Sequence, residues 1–471
     1  MRDLIVALFG LGAIPVAFAR PMAGLLAFSL FAYMRLQDLA WGFASNQRWS
    51  LFLAVAMVAG WFFQRNRAQP IWNLRTGLMA FMLVWTSISL LLATGLDTLS
   101  NSFFINFAKV IFVAVFTTAL VQRREHLRVF MWVVAMSFAF YGVKSGAQAL
   151  LSGGSPILQG PGGMMKDNND FALALAMAVP LIVGLATSEV NGYYRRWLKI
   201  FVPLTYLAVF ATRSRGGFLA ITLGTLVLVW RSKNRFAGLA TLGTFMLLGT
   251  LVLPSDMFER LNTLKNVEAD GSASGRLKAW GVAGEVIKDY PLFGVGTEQF
   301  QKHYLDYGER AGTKSGTRVV HNAYLQIWSE SGTPVFLAYV AMLAAAVLSV
   351  QRLRRRAERV YARSWISSYC TALEGALLTF MLGSVFLNRA HFDLTYHLIA
   401  MTVVLDRIAS AELDAPRLAE QSRPESGGAF RRPDRYGFDR RPSARRSFRT
   451  SRNAPTQLGG GAGFASPMES H

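Results

Sequence analysis

The sequence predicts an all-α, polytopic transmembrane helical bundle, and three observations predict it. The 471-residue chain is 52% apolar and only 16% charged, where a soluble domain carries about 25% charged residues. Its apolar residues form long runs rather than amphipathic stripes. A run of about 20 apolar residues crosses the hydrocarbon core as a helix that satisfies its own backbone hydrogen bonds. Its Lys and Arg residues sit mostly between those runs and in the C-terminal part, the pattern of loops held on the cytoplasmic side. The net charge of +21 therefore reads as membrane topology, and no nucleic-acid partner is expected.

The candidate spans are 3–19, 21–34, 49–64, 76–94, 101–121, 129–150, 169–187, 197–211, 216–230, 236–253, 333–350, 365–388 and 392–406, about 12–13 crossings by the length a helix needs. Residues 3–19 lack the strongly basic start and small-residue cleavage site of a signal peptide, and Arg20-Pro21 leads straight into the next run. The basic segments Gln122–Arg128, Tyr194–Trp197, Arg231–Arg235 and Gln351–Arg363 alternate correctly to lie together in the cytoplasm. The connections 151–168, 212–215 and 254–332 then fall on the other side. An odd number of spans with an inside C-terminus puts the N-terminus outside, which suggests a half-span or a merged pair among the early helices.

Four regions follow: 1–253, an N-terminal bundle; 254–332, a loop with amphipathic helices; 333–406, C-terminal helices; and 412–471, a disordered basic tail rich in Arg, Pro, Ser and Gly. The tail's basic residues suit attraction to anionic lipids. In the loop, Ser274 is placed to cap a helix running to about Asp289, with Leu277, Trp280 and Ile287 on one face. A second helix from near His321 to Gly332, striped by Tyr324, Leu325 and Trp328, suits a lid along the membrane surface. Cys370 is the single cysteine, so no intrachain disulfide and no CxxC site exists.

Charged groups at membrane depth are functional candidates because burial in lipid is costly. In Thr212-Arg213-Ser214-Arg215-Gly216-Gly217, two arginines occupy a tight turn on the side the positive-inside rule disfavours. Arg offers a planar fork of donors that fits phosphate; snorkelling to lipid headgroups is the competing reading. Arg276, in Ser274-Gly275-Arg276, can reach the same anion, or be an ordinary surface arginine. His321 precedes Asn322-Ala323-Tyr324-Leu325-Gln326. A helix N-terminus there favours the neutral imidazole, which accepts a proton from a hydroxyl. Gly160-Pro161-Gly162-Gly163 leads to Asp167-Asn168-Asn169-Asp170, a stretch that can cap a helix, bind sugar hydroxyls or orient an arginine. No GxxxxGKS, HExxH or GxSxG motif occurs, so no metal site and no cofactor is expected.

DNNDFALALA, TRSRGGFLA, SGRLKAWGVAGEVIKDYPLFGVG and HNAYLQIWSESG, across about 167–345, resemble the O-antigen ligase and polymerase superfamily. The opening MRDLIVALFGLGAIPVAFARPMAGLLAFSLFAYMRL resembles the O-glycosylation ligases associated with exosortase-A systems. The resemblance implies a fold like the GT-C class and a glycosyltransferase of the bacterial inner membrane, its active site facing the periplasm. It implies an undecaprenyl-diphosphate-linked glycan as donor and a glycan or protein hydroxyl as acceptor, in a metal-independent, inverting reaction. It gives the arginine role to Arg215 and Arg276, with Arg213 beside them, and the histidine role to His321. Asp167, Asn169, Asn322, Tyr324 and Glu298 are substrate-binding candidates, with Asp167 and Glu298 as spare bases. Pro334 stands where relatives often have glycine. The competing readings are a repeat-unit polymerase, a transporter of the same lipid, which would place polar groups at mid-membrane, and a non-catalytic envelope scaffold.

Overall fold

The computed structural model describes residues 1–95, 101–232, 271–313, 316–361 and 364–421, with isolated positions between 235 and 243. Apart from those positions, the candidate span 236–253 lies outside the described residues, as do 254–270 and the tail beyond 421. Among the described residues there are helices and no strand.

Helices α1 (Arg2–Ala19), α2 (Pro21–Ser29) and α3 (Trp49–Phe63) come first. Pro21 presets the first turn of α2. A π turn over Leu30–Met34 closes that run and leaves Arg35 left-handed at φ 49°. Pro21–Met34 is a short apolar helix. Asp3, at the start of α1, accepts from the Gly42 and Ala44 amides at 2.8 and 3.2 Å. The N-terminal end of α1 thus lies beside the 35–48 connection.

Next come α4 (Leu74–Thr94), α5 (Ser102–Leu120), α6 (Arg124–Leu151), α7 (Asn168–Ser188), α8 (Gly192–Ala211) and α9 (Arg215–Arg231). The sequence of α7 sets its place. Residues 170–182 are buried on every side, as a helix apolar all round should be. Its small residues let neighbours close in. Gly217 of α9 approaches so near that a Cβ would fall 2.4 Å from the Ala172 Cβ.

The loop region holds α10 (Gly271–Asp289) and α11 (Phe300–Gly308); α12 (Ala323–Val360), α13 (Trp365–Gly383) and α14 (Asp393–Gln421) follow. Seven of the described helices are long and apolar enough to cross a membrane, and Pro21–Met34 and Trp49–Phe63 are shorter apolar helices. The chain is a multi-pass membrane protein with an all-α fold.

Contacts sort the connections into two ends. Arg128 pairs with Glu189 at 2.6 Å, Arg407 donates to the Val121 carbonyl at 2.7 Å, and Arg124 lies over Trp365 at 4.7 Å. Arg231 Nε donates to Glu374 at 3.0 Å, as Gln351 does at 2.7 Å. These contacts gather the four basic segments at one end. The 35–48, 152–167, 212–214, 290–313, 316–322 and 387–392 connections occupy the other.

Four local expectations are corrected. Ser274 is not a cap, because α10 is already helical at Gly271. Leu277 is 53% exposed, whereas Ala279, Val282, Ala283 and Val286 are buried; the helix turns its small residues inward. The second loop helix is no surface lid: Ala323, Gln326, Ile327 and Glu330 are buried in the bundle. The last helix also runs to Gln421, ten residues into the expected tail.

The helix from Ala323 does break at Gly332, which has φ 84° and ψ 173°. The 291–296 strip takes up the freed backbone groups. Thr333 N donates to Pro291 O at 2.8 Å, Val295 N to Ser329 O at 2.9 Å and Gly296 N to Glu330 O at 2.8 Å. A Cβ at 332 would fall 2.0 Å from the Leu292 oxygen. Gly332→Ala therefore meets left-handed strain of about 1–3 kcal/mol, with the overlap in addition. The expected result is a lower thermal unfolding midpoint in detergent; an unchanged midpoint would show that the break is not needed.

Candidate functional site

Asp167 caps α7, accepting from the Asn169 amide at 2.8 Å. Asn168 Nδ2 donates to the Thr212 carbonyl at 2.9 Å. Ser214 Oγ donates to Asn169 Oδ1 at 2.7 Å and accepts from the Gly217 amide at 3.0 Å. These bonds tie the start of α7 to the turn before α9. Arg213, left-handed at φ 54°, and Arg215, the first residue of α9, are half-buried in that turn.

The start of α10 meets the strand-like approach to α12. A Cβ on Gly275 would fall 2.3 Å from Arg318 Nη1, so the Arg318 guanidinium lies across the helix next to Arg276. His321 stands just before the cap of α12, with φ 52°. Asn322 is that cap, accepting from the Tyr324 and Leu325 amides at 2.9 and 3.2 Å. Burial first, then Arg276, Arg318 and Arg389, hold the His321 pKa below its usual 6.5, while Asp167 opposes them. The imidazole is thus biased to its neutral form. The helix terminus predicts that form from the sequence; in the structure burial and neighbouring cations favour it.

The four stretches singled out in the sequence therefore converge. Asp167 and Arg276 both act on His321, and Asn169 holds the arginine turn. Glu298, at φ 61°, lies instead next to Glu330: burial raises its pKa, and its neighbour Gly296 bonds to the Glu330 carbonyl. Asp167, Asn169 and Asn322 also serve as caps or ties. The Tyr324 hydroxyl donates to the Met381 carbonyl at 2.8 Å, which fixes α12 against α13.

Sequence reasoning missed Arg389, Arg318 and Arg35. Arg389 pairs with the buried Asp170, so Asp170 is the carboxylate that orients an arginine. The adjacent Ala390 amide donates to Gln326 Oε1 at 3.3 Å. The available signal was a charged residue between two apolar runs, in Asn388-Arg389-Ala390-His391-Phe392-Asp393. Among the described residues, the non-glycine residues with positive φ are Arg35, Arg213, Glu298 and His321. Three were candidates from sequence, and all four lie in connections at the same end. Such strain persists where surrounding structure imposes it, and it clusters at functional sites.

Chemically, this end offers several guanidinium groups and the neutral imidazole of His321. The former suit an anion such as a phosphate, and the latter can take a proton.

Residues 200–340 match the family described as O-antigen ligase, and residues 1–187 match a family of unknown function. No curated protein matches the chain. The first match covers Arg213, Arg215, Arg276, Glu298 and His321. The match over residues 200–340 supports the O-antigen ligase superfamily, and with it a membrane ligase- or polymerase-type enzyme.

Proposed function

We propose that the protein transfers a glycan from undecaprenyl diphosphate to an acceptor hydroxyl, at the periplasmic face of the inner membrane, with inversion and without a metal ion. The observation that carries this reading is that Arg276, Arg318 and Arg389 all act on His321, as does Asp167, the cap of α7, to whose start the Arg213–Arg215 turn is tied. The basic segments at the opposite end support the cytosol for that end.

In the proposed reaction the acceptor hydroxyl passes its proton to His321 as its oxygen attacks the anomeric carbon. A new carbon–oxygen bond forms on the face opposite the diphosphate. The glycosyl–diphosphate bond breaks, and its electron pair leaves with undecaprenyl diphosphate. Negative charge grows on that leaving group, and arginines already in place stabilise it without reorganisation. The resemblance of the opening residues supports the exosortase-associated O-glycosylation ligases as subgroup.

Arg215→Ala and Arg276→Ala, tested separately, are each expected to lower transfer by about 10²–10³-fold, as loss of one oxyanion-stabilising donor does. Protein levels should hold. Wild-type transfer in both variants would remove the donor site. A repeat-unit polymerase would share that site, and glycans from a deletion strain separate the two: lost chain length marks a polymerase, lost attachment a ligase.

A further inference from the structure

The turn that leads from α10 into the 291–296 strip is built unlike a turn in water. It reads Asp289-Tyr290-Pro291-Leu292-Phe293. Leu292 is 58% exposed, and Tyr290 and Pro291 are exposed beside it. The backbone, in contrast, is covered. The Tyr290 carbonyl accepts from the Gly294 amide at 3.1 Å, and the Pro291 carbonyl from the Thr333 amide at 2.8 Å. The Leu292 carbonyl accepts from Trp85 Nε1 at 3.1 Å, and the Phe293 carbonyl from the Ser89 hydroxyl. Consecutive carbonyls from 290 to 293 thus all have protein donors, and the last two donors are side chains of α4. A turn in water needs no such cover, since water bonds a free carbonyl. Hydrocarbon offers no partner, and irregular backbone is tolerated there only where protein groups satisfy it.

The position of the turn agrees. Trp85 stacks on Phe293, with ring centroids 5.1 Å apart and planes 11° apart. The helix that carries Trp85, α4, is long and apolar enough to cross the membrane. Arg75, at its start, pairs with Asp406 near the basic end. Trp85 lies nine residues before Thr94, where α4 finishes, so about 13 Å of helix rises beyond it. The turn therefore packs on the site-end half of a spanning helix. On α4, Val84, Ile88 and Leu92 are exposed, at the spacing of one helix face. On a spanning helix such a face meets lipid, and the Tyr290–Leu292 surface continues it. Tyr290 and Tyr307, with ring centroids 6.4 Å apart, are amphipathic rings of the kind that settle at the headgroup level.

We propose that Tyr290, Pro291 and Leu292 form a re-entrant wedge immersed in the acyl chains of the leaflet at the site end, so that the partner of this surface is the bilayer itself. The wedge pins one end of α10, the helix that also carries Arg276, at a fixed height on the membrane. This holds whatever reaction the site performs. To test it, a nitroxide is attached to the full-length chain at Leu292→Cys, at Pro291→Cys and, as a water-facing control, at exposed Ser155→Cys. Each protein is placed in nanodiscs of phosphatidylcholine alone. Dissolved oxygen concentrates in hydrocarbon, and a chelated nickel complex stays in water. At Leu292 and Pro291, relaxation by nickel should be lost while relaxation by oxygen persists; at Ser155 nickel should act strongly. Nickel relaxation at the turn equal to that at Ser155 overturns the proposal. So does a probe that neither reagent reaches, which marks a protein contact over the turn. Should Leu292→Cys fail to fold, the Pro291 probe decides by the same outcomes.

Discussion

His321→Ala is expected to lower glycan transfer by about 10²–10⁴-fold, the contribution of a positioned general base. The fold should survive, because Asn322, not His321, caps α12. The pH profile gives the sharper test. A base must be unprotonated to act, so the rate falls as pH drops through the His321 pKa. Burial and Arg276 hold that pKa below 6.5, so the acid limb should lie below 6.5. Arg276→Gln removes one depressing charge and should move the limb upward, with burial still resisting protonation. A profile without an acid limb, or a limb that moves down, would count against His321 as the base.

Asp170→Ala should give the largest loss of stability. Asp170 is buried and pairs with Arg389, whose side chain is itself only 24% exposed. Removing the carboxylate strands a cation, at a cost of about 3–5 kcal/mol. Thermal unfolding in detergent should show a clear drop in midpoint. The double variant Asp170→Leu with Arg389→Met should recover most of it, since replacing both partners by apolar groups is often near neutral. Equal midpoints for the wild type and Asp170→Ala would show that the pair is not needed for folding. The double variant should still transfer poorly, because it also lacks a cation that faces His321.

The helices were legible in the sequence because each span must be a long apolar run, whatever it packs against. Helix faces were not. On α10 the large side chain of Leu277 looked like the buried anchor, but close packing selected Ala279 and Ala283; that choice depends on a partner the local sequence does not name. The first candidates were legible because Arg213 and Arg215 sit where the positive-inside rule disfavours them and His321 stands at a helix start. Arg389 was not, since its partner Asp170 lies 219 residues away. Arg35 was hidden for a similar reason. Its place depends on the Gly162-Gly163 turn, which belongs to a different connection.

Cys370 is the chain's one cysteine, and it is fully buried. A thiol reagent confined to water therefore passes the native protein by. A cysteine placed at exposed Ser155, on the site end, or at exposed Arg196, on the opposite end, becomes the sole reactive group. An impermeant maleimide, applied to intact cells and to inverted vesicles, then reads the compartment facing each end, with no thiol-free background to engineer first.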